Sequence, residues 1–303
     1  MIPGPLKGAL SFTGFVVNTI FWVIPLFLTA LLKLIIPIQF WRKGCDKVLN
    51  WLAGNWIAVN NLNLNLVGGT RWDVRGIEGV SMDAWYLVVA NHQFWVDILV
   101  LQRIFHGKIP FLKFFLKKEL IWVPVMGLAW WALDFPFMKR YSRTYLEKNP
   151  HLKGKDIEIT RKACKKFETV PVSIMNFMEG TRFTIDKHRK QNSPYEHLLR
   201  PKSGGIAFVL AAMGAQLNSI VDVTIAYPRG VGSFWDLICG RIREIRVEVK
   251  LVPITEEIRG DYFNDQAFRQ RFQAWINAHW AAKDAQLGLL LNPTLSNYNE
   301  FPV

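Results

Sequence analysis

Between Lys7 and Lys33 the chain carries no charge: GALSFTGFVVNTIFWVIPLFLTALL, Gly8–Leu32. Wound as a helix, those 25 residues run about 37 Å, enough for a bilayer core of about 30 Å. Trp22 and Trp41 stand where aromatic side chains anchor the two ends at a lipid–water boundary. The run is too long and lacks the right flank for a cleaved signal peptide. Lys33, Arg42, Lys43 and Lys47 come after it, against Lys7 alone before it, so the positive-inside bias puts the rest of the chain on the cytoplasmic side of a membrane. Pro25 leaves a kink or a re-entrant turn open, and a buried core helix is the competing reading. The next stretch, Cys45–Leu66, is apolar with scattered asparagines and reads as an interfacial or docking helix rather than a second span. We therefore expect a membrane-anchoring helical segment over residues 1–68 and a separate domain over 69–303.

Composition supports a lipid-facing protein. Half of the residues are hydrophobic, with 13 Trp and 21 Phe, and Lys+Arg exceeds Asp+Glu by 37 to 24, a net charge of +13. Such an excess suits an anionic partner: nucleic acid, anionic lipid or a phosphorylated substrate. No nucleic-acid recognition motif accompanies the charge, and lipid fits the aromatic residues best. Cys45, Cys164 and Cys239 are far apart and form neither a disulfide framework nor a metal-ligand spacing, and no metal or redox cofactor is called for.

From Arg71 onward short apolar runs alternate with helix-like stretches. Trp85–Ala90, Val172–Phe177, Val221–Tyr227 and Ile245–Leu251 read as buried strands, with Lys155–Phe167 and Gly204–Leu217 as intervening helices. The expected fold is a layered α/β domain, its mixed or mostly parallel sheet flanked by helices and preceded by an N-terminal membrane helix. Three strands lead into polar residues at their carboxyl ends, where open α/β sheets place ligands. WYLVVA leads to Asn91-His92, VSIMNF toward Glu179-Gly180-Thr181-Arg182, and VDVTIAY to Pro228-Arg229.

In ANHQFWVDILVL, Ala90–Leu101, a histidine and an aspartate stand five apart in very hydrophobic surroundings. On one helix they would lie about 140° apart and could not meet. They pair only if His92 is in the loop leaving the strand and Asp97 is in the first turn of the next element. Asp97 could then fix the imidazole tautomer and leave the other ring nitrogen free as a base. The chain has no G-x-S-x-G elbow, so the base would act on a substrate's own hydroxyl, giving direct transfer to an alcohol rather than a covalent enzyme intermediate.

These residues resemble the motif blocks of the glycerolipid acyltransferases, the family that includes 1-acylglycerol-3-phosphate acyltransferases. NHQFWVD resembles N-H-x4-D, FPFMKR the block ending in a phosphate-binding arginine (here Arg140), FMEGTR the F-x-E-G-T-R block and VTIAYP the fourth. The order is that of the family, and the likeness covers roughly Trp85–Leu251. RFTIDKH, LLRPKSGG and DVTIAYP are closer to a branch with lysocardiolipin-type acyltransferases and bacterial YihG-like proteins. Asp134 stands where many members have glycine, and Thr224 where proline is often found; both departures bear on the acceptor more than on the reaction.

The resemblance implies an acyltransferase domain in which His92 is the base and Asp97 its partner, with Asn91 and Pro228 supporting. It assigns Arg140, Glu179, Gly180, Thr181 and Arg182 to the acceptor phosphate, and Lys139 lies beside Arg140. The implied substrates are a lysophospholipid in the membrane, foremost 1-acylglycerol-3-phosphate, and acyl-CoA or acyl carrier protein as donor, with no other cofactor. Three rivals remain: remodelling of another lysophospholipid, a lipid hydrolase using the same pair on water, and a non-enzymatic basic membrane-binding protein. Arg103–Trp122, which interleaves Lys with Phe, reads either as a solvated face over a buried stripe or as a membrane-surface patch. Phe268, Phe272, Trp275, Ile276 and Trp280 form a helical stripe suited to docking on the domain. His106, His151, His188, His197 and His279 show no convincing partners.

Overall fold

The N-terminal uncharged run becomes one unbroken helix, α1 (Gly4–Ile35), which continues through Pro25 without turning back. This is a computed structural model, and it describes residues 3–138 and 170–292 together with Glu158, Arg161, Cys164 and Phe167. Lys139, Arg140, His151 and most of the expected Lys155–Phe167 helix lie outside the described residues. The turn absent at Pro25 comes at residues 36–38, after which α2 (Gln39–Val67) packs along α1. Asparagines explain the pairing. Asn18 donates to Asn60 Oδ1 (2.8 Å) and to the Trp56 carbonyl (2.9 Å), and Asn63 donates to the Ser11 carbonyl (2.8 Å). These bonds offset the cost of burying the Asn18 and Asn63 amides between the two helices, while Asn60 Nδ2 is buried without a partner among the described residues.

α1 is long and apolar enough to cross a membrane, with a mean hydropathy of 2.2. Both of its ends touch the rest of the protein. At the start, Lys7 donates to the Val67 carbonyl and Phe15 packs edge-on against Phe234. At the end, Lys33 lies 2.6 Å from Asp134 and 2.5 Å from Asp46. Between these ties Leu10, Val17, Ile20, Phe21, Ile24 and Leu28 point outward, each more than half exposed.

The four expected strands are present within a six-stranded sheet. In chain order its strands are β1 (Arg71–Arg75), β2 (Tyr86–Ala90), β3 (Leu112–Phe114), β6 (Ser173–Phe177), β7 (Ser219–Ala226) and β8 (Glu244–Pro253). Two short strands, β4 (Leu116–Lys117) and β5 (Phe137–Met138), pair separately. The sheet order is β1-β8-β7-β2-β6-β3. Strands β7, β2, β6 and β3 are parallel, β8 runs antiparallel to β7, and β1 is parallel to β8. Central β2 is buried along its whole length, which is why it reads as a continuous apolar run instead of an alternating one.

One face of the sheet packs on α3 (Val96–Phe105), with Val88, Ala90, Val223 and Ile225 in that core. The other carries α6 (Ser203–Met213) and α8 (Gln266–Leu291). There Phe268, Phe272, Ile276 and Trp280 are buried, so the aromatic stripe docks on the sheet. Among the described residues the other α-helices are α4 (Met126–Ala132), α5 (Ile185–Lys190) and α7 (Phe234–Ile238).

Three expectations need correction. Arg103–Trp122 is not a solvated face over one buried stripe: α3 ends at Phe105, strands β3 and β4 come next, and Lys113 turns inward to the Leu133 carbonyl at 2.6 Å. His279 has a partner, with Nε2 3.0 Å from Asp222 Oδ2 beneath the sheet. His188 has one too, its Nε2 2.6 Å from the Tyr195 carbonyl.

Candidate active site

Adjacent parallel strands β7, β2 and β6 end side by side, so the loops that leave them converge. Asn91, buried, fixes the first. Its amide nitrogen donates to the Ile225 carbonyl and its oxygen accepts from Ile225 N, each at 2.9 Å, riveting the end of β2 to β7. His92 comes next in the loop, and Asp97 is the second residue of α3. The structure brings them together: His92 Nδ1 lies 2.9 Å from Asp97 Oδ2.

Asp97 is completely buried, yet its carboxylate is well supplied with donors. Oδ2 also accepts from Gln93 N and Phe94 N, both at 2.7 Å, and Oδ1 accepts from the Tyr227 hydroxyl at 2.6 Å. Burial, then the neighbouring Asp97 charge, pushes the Tyr227 phenol well above its ordinary range, so it stays a donor. A carboxylate held in this way is acceptor-only. His92 Nδ1 is therefore the protonated nitrogen, and Nε2 keeps its lone pair. Among the described residues Nε2 has no hydrogen-bond partner. The ring stacks on Phe177, with centroids 3.8 Å apart and planes 13° from parallel.

The loop after β6 is tied to this one through its backbone. Phe183 N donates to the His92 carbonyl (2.7 Å) and Met178 N to that of Ala90 (3.3 Å). Glu179 completes the joint from below, its carboxylate accepting from His92 N at 2.7 Å and from Leu199 N at 3.1 Å. Fully buried, it does not face the cavity, unlike Gly180, Thr181 and Arg182 after it. Burial raises its carboxyl to about 7, against the opposing pull of the two backbone donors. The geometry thus separates Glu179, which positions the His92 loop, from the residues that could touch a phosphate.

Those residues line a cavity of about 340 Å³ with His92, Phe114, Phe177 and Lys202. Gly180 takes φ +65°, the left-handed region that glycine enters freely. Thr181 Oγ1 accepts from Lys187 Nζ at 2.8 Å. Pro228 comes directly after Tyr227, one residue beyond the hydroxyl that holds Asp97. Arg140 and Lys139, the other expected phosphate contacts, fall outside the described residues. Among the described residues no group of three His, Cys, Asp or Glu could hold a metal ion.

Sequence reasoning missed Tyr227, Phe177 and Lys202. The signal for Tyr227 was strand parity. It shares the α3 side of β7 with Val223 and Ile225, whereas Asp222 and Thr224 face α8. The two departures from the family pattern sit away from the cavity. Thr224 Oγ1 accepts from buried Lys283 (3.0 Å), whose Nζ also donates to the Val223 carbonyl and lies 2.6 Å from Asp222. Asp134 has φ +59°, the backbone a glycine would supply, and spends its carboxylate on Lys33.

Comparison with known proteins bears on the family and the fold. A family model described as Acyltransferase matches residues 71–228. A Gallus gallus protein named lysocardiolipin acyltransferase 1 is 23% identical over 88% of this chain and 72% of its own length. The Bos taurus 1-acyl-sn-glycerol-3-phosphate acyltransferase alpha is 28% identical over 63% of this chain and 56% of its own. The crystal structure of a 1-acyl-sn-glycerophosphate acyltransferase, PlsC, from Thermotoga maritima superposes with a TM-score of 0.55. It is 18% identical and covers 94% of this chain and 98% of its own, a likeness of fold.

Proposed function

The chain belongs to the acyltransferase family of glycerolipid enzymes, and from that premise we propose that it acylates the free hydroxyl of 1-acylglycerol-3-phosphate, giving phosphatidic acid. The donor is a thioester, acyl-CoA or acyl carrier protein. The observation that carries this reading is the unpartnered Nε2 of His92 at a cavity lined by Gly180, Thr181 and Arg182, with Nδ1 locked on Asp97.

In this mechanism Nε2 takes the proton from the acceptor hydroxyl as its oxygen attacks the thioester carbonyl. The imidazolium that forms is stabilised by the Asp97 carboxylate, itself held by two loop amides and Tyr227. Collapse of the tetrahedral intermediate breaks the C–S bond, and the departing thiolate recovers the proton from His92. General-base assistance supplies about 10²–10⁴ in rate. The remainder comes from holding both substrates in one orientation, with Arg182 on the acceptor phosphate.

The aromatic rings next to His92 suggest where the acyl chain lies. Phe177 stacks on His92, and Phe114 and Phe135 continue the series at centroid spacings of 6.3 and 6.4 Å toward the hairpin. The hairpin, within residues 1–68, is the membrane anchor. Because both ends of α1 are held by the domain over residues 69–303, it lies along one face of the bilayer, which we take as the cytoplasmic one. Its exposed apolar side and the outward Trp122 and Phe40 support that seating.

The test is acyl transfer by purified protein in detergent, from labelled acyl-CoA and acyl carrier protein, to a panel of lysophospholipids. Product from 1-acylglycerol-3-phosphate in preference to the others supports the reading. Preference for another lysophospholipid moves the protein to remodelling, and release of free fatty acid alone to hydrolysis.

A further inference from the structure

We propose that Lys202 is a second cationic anchor for the acceptor headgroup, working with Arg182, and that the pair selects a phosphate monoester over a phosphodiester. The inference rests on the acyl-transfer reading of this cavity and deepens it.

Lys202 caps the start of α6, on an element separate from the Arg182 loop, yet it lines the same cavity. Its backbone N–H donates to the Met178 carbonyl at 2.7 Å, which ties it to the loop that carries Gly180. Its side chain then lies across Gly180. A Cβ added there would fall 3.0 Å from Cδ, 3.2 Å from Nζ and 3.5 Å from Cε of Lys202. The ammonium thus lies against the backbone of the E-G-T-R loop, in the cavity that His92 also lines.

Among the described residues neither the Lys202 ammonium nor the Arg182 guanidinium has a hydrogen-bond or ion-pair partner. The nearby acids are committed elsewhere, Glu179 to two backbone amides under the loop and Asp97 to His92, Tyr227 and two further amides. Two positive charges consequently face an open cavity of about 340 Å³ without internal compensation. A phosphate monoester carries about −1.5 to −2 near neutral pH, which matches them, and a diester carries one charge fewer at most. Chemistry divides the work: the planar fork of Arg182 engages two oxygens, and the compact lysine charge meets a third. Thr181, whose Oγ1 already accepts from Lys187, has its hydroxyl hydrogen left to donate.

The experiment compares native protein, Lys202→Met and Lys202→Arg in detergent, with lysophosphatidate and its phosphate methyl ester as acceptors. Lys202→Met is expected to lower kcat/KM for lysophosphatidate about 10-fold more than for the ester, mostly through KM, as loss of a charge-assisted contact requires. Lys202→Arg should restore most of the discrimination. Equal losses on both acceptors, or no loss on either, overturn the proposal. A second measurement needs no turnover: lysophosphatidate binding to His92→Ala protein, with and without Lys202→Met. Weaker binding with Lys202→Met supports the anchor, and equal binding overturns it. If native protein acylates neither acceptor, the reading of 1-acylglycerol-3-phosphate as the acceptor fails, and the binding comparison still decides the role of Lys202.

Discussion

Replacing Tyr227 by phenylalanine deletes one oxygen atom from the interior and should separate positioning from packing. The Tyr227 hydroxyl donates to Asp97 Oδ1 at 2.6 Å, and both residues are buried, so no solvent takes its place. A hydrogen bond to an ionised group contributes about 1.5–3 kcal/mol. Asp97 keeps the loop amides and His92 on Oδ2, so the site should survive with a looser carboxylate. The carboxylate counts most when His92 is cationic, which in this mechanism is from the proton transfer of the first step to the collapse of the tetrahedral intermediate. If about half of the lost energy falls there, kcat drops roughly 3- to 10-fold. KM should hardly change, because Tyr227 does not line the cavity. Steady-state kinetics beside a thermal melt reads both effects. Tyr86→Phe is the control, since that hydroxyl accepts from Ser81 N on the opposite end of the sheet. A Tyr227→Phe protein that melts lower while kcat matches Tyr86→Phe would refute the positioning argument, leaving Tyr227 as packing alone.

Glu179→Gln offers an amide where two backbone N–H groups need acceptors, so one is orphaned, at about 1–3 kcal/mol, and the melting temperature and kcat should both fall. The carboxyl sits near 7 when folded, above its ordinary 4.5, so the folded state binds the extra proton between those values. Stability from this group is full below about pH 4.5 and lost as pH rises through 7, and the Gln variant should flatten that slope in melts at successive pH values. Lys283→Met leaves Asp222 buried without its main partner and should cost about 3–5 kcal/mol in chemical denaturation, with Asp222→Asn in the same chain recovering most of it. Asp134→Ala should be about 1 kcal/mol less stable than Asp134→Gly, since both lose Lys33 but only alanine strains at φ +59°.

The elements legible in the sequence are those with a dense or regularly spaced set of apolar residues. β2 and β6 stand out as apolar runs, β7 and β8 as apolar residues at alternate positions, and α1 as an uncharged length. β1 is written RWDVR, with charges at both exposed ends, and gives no apolar run to recognise because it lies at the sheet edge. β3 is three residues long with a lysine at its centre, and that lysine is buried with its ammonium on the Leu133 carbonyl and over the Phe167 ring. The His92–Asp97 pair could be foreseen because polar residues interrupt the most apolar stretch of the chain. Its supports could not. Tyr227 and Lys202 lie 130 and 105 positions beyond Asp97, and only the strand order β7-β2-β6 brings their loops to one place. Thr224 and Asp134, which pointed toward the acceptor on the family pattern, instead serve a buried lysine and the end of α1.

The most direct measurement is acyl transfer to 1-acylglycerol-3-phosphate by native protein and by His92→Ala with its fold verified by melting. If His92 Nε2 is the base, the variant keeps its fold and loses about 10²–10⁴ in kcat. Transfer by the variant at the native rate, or none by native protein with either donor, would contradict that role for His92.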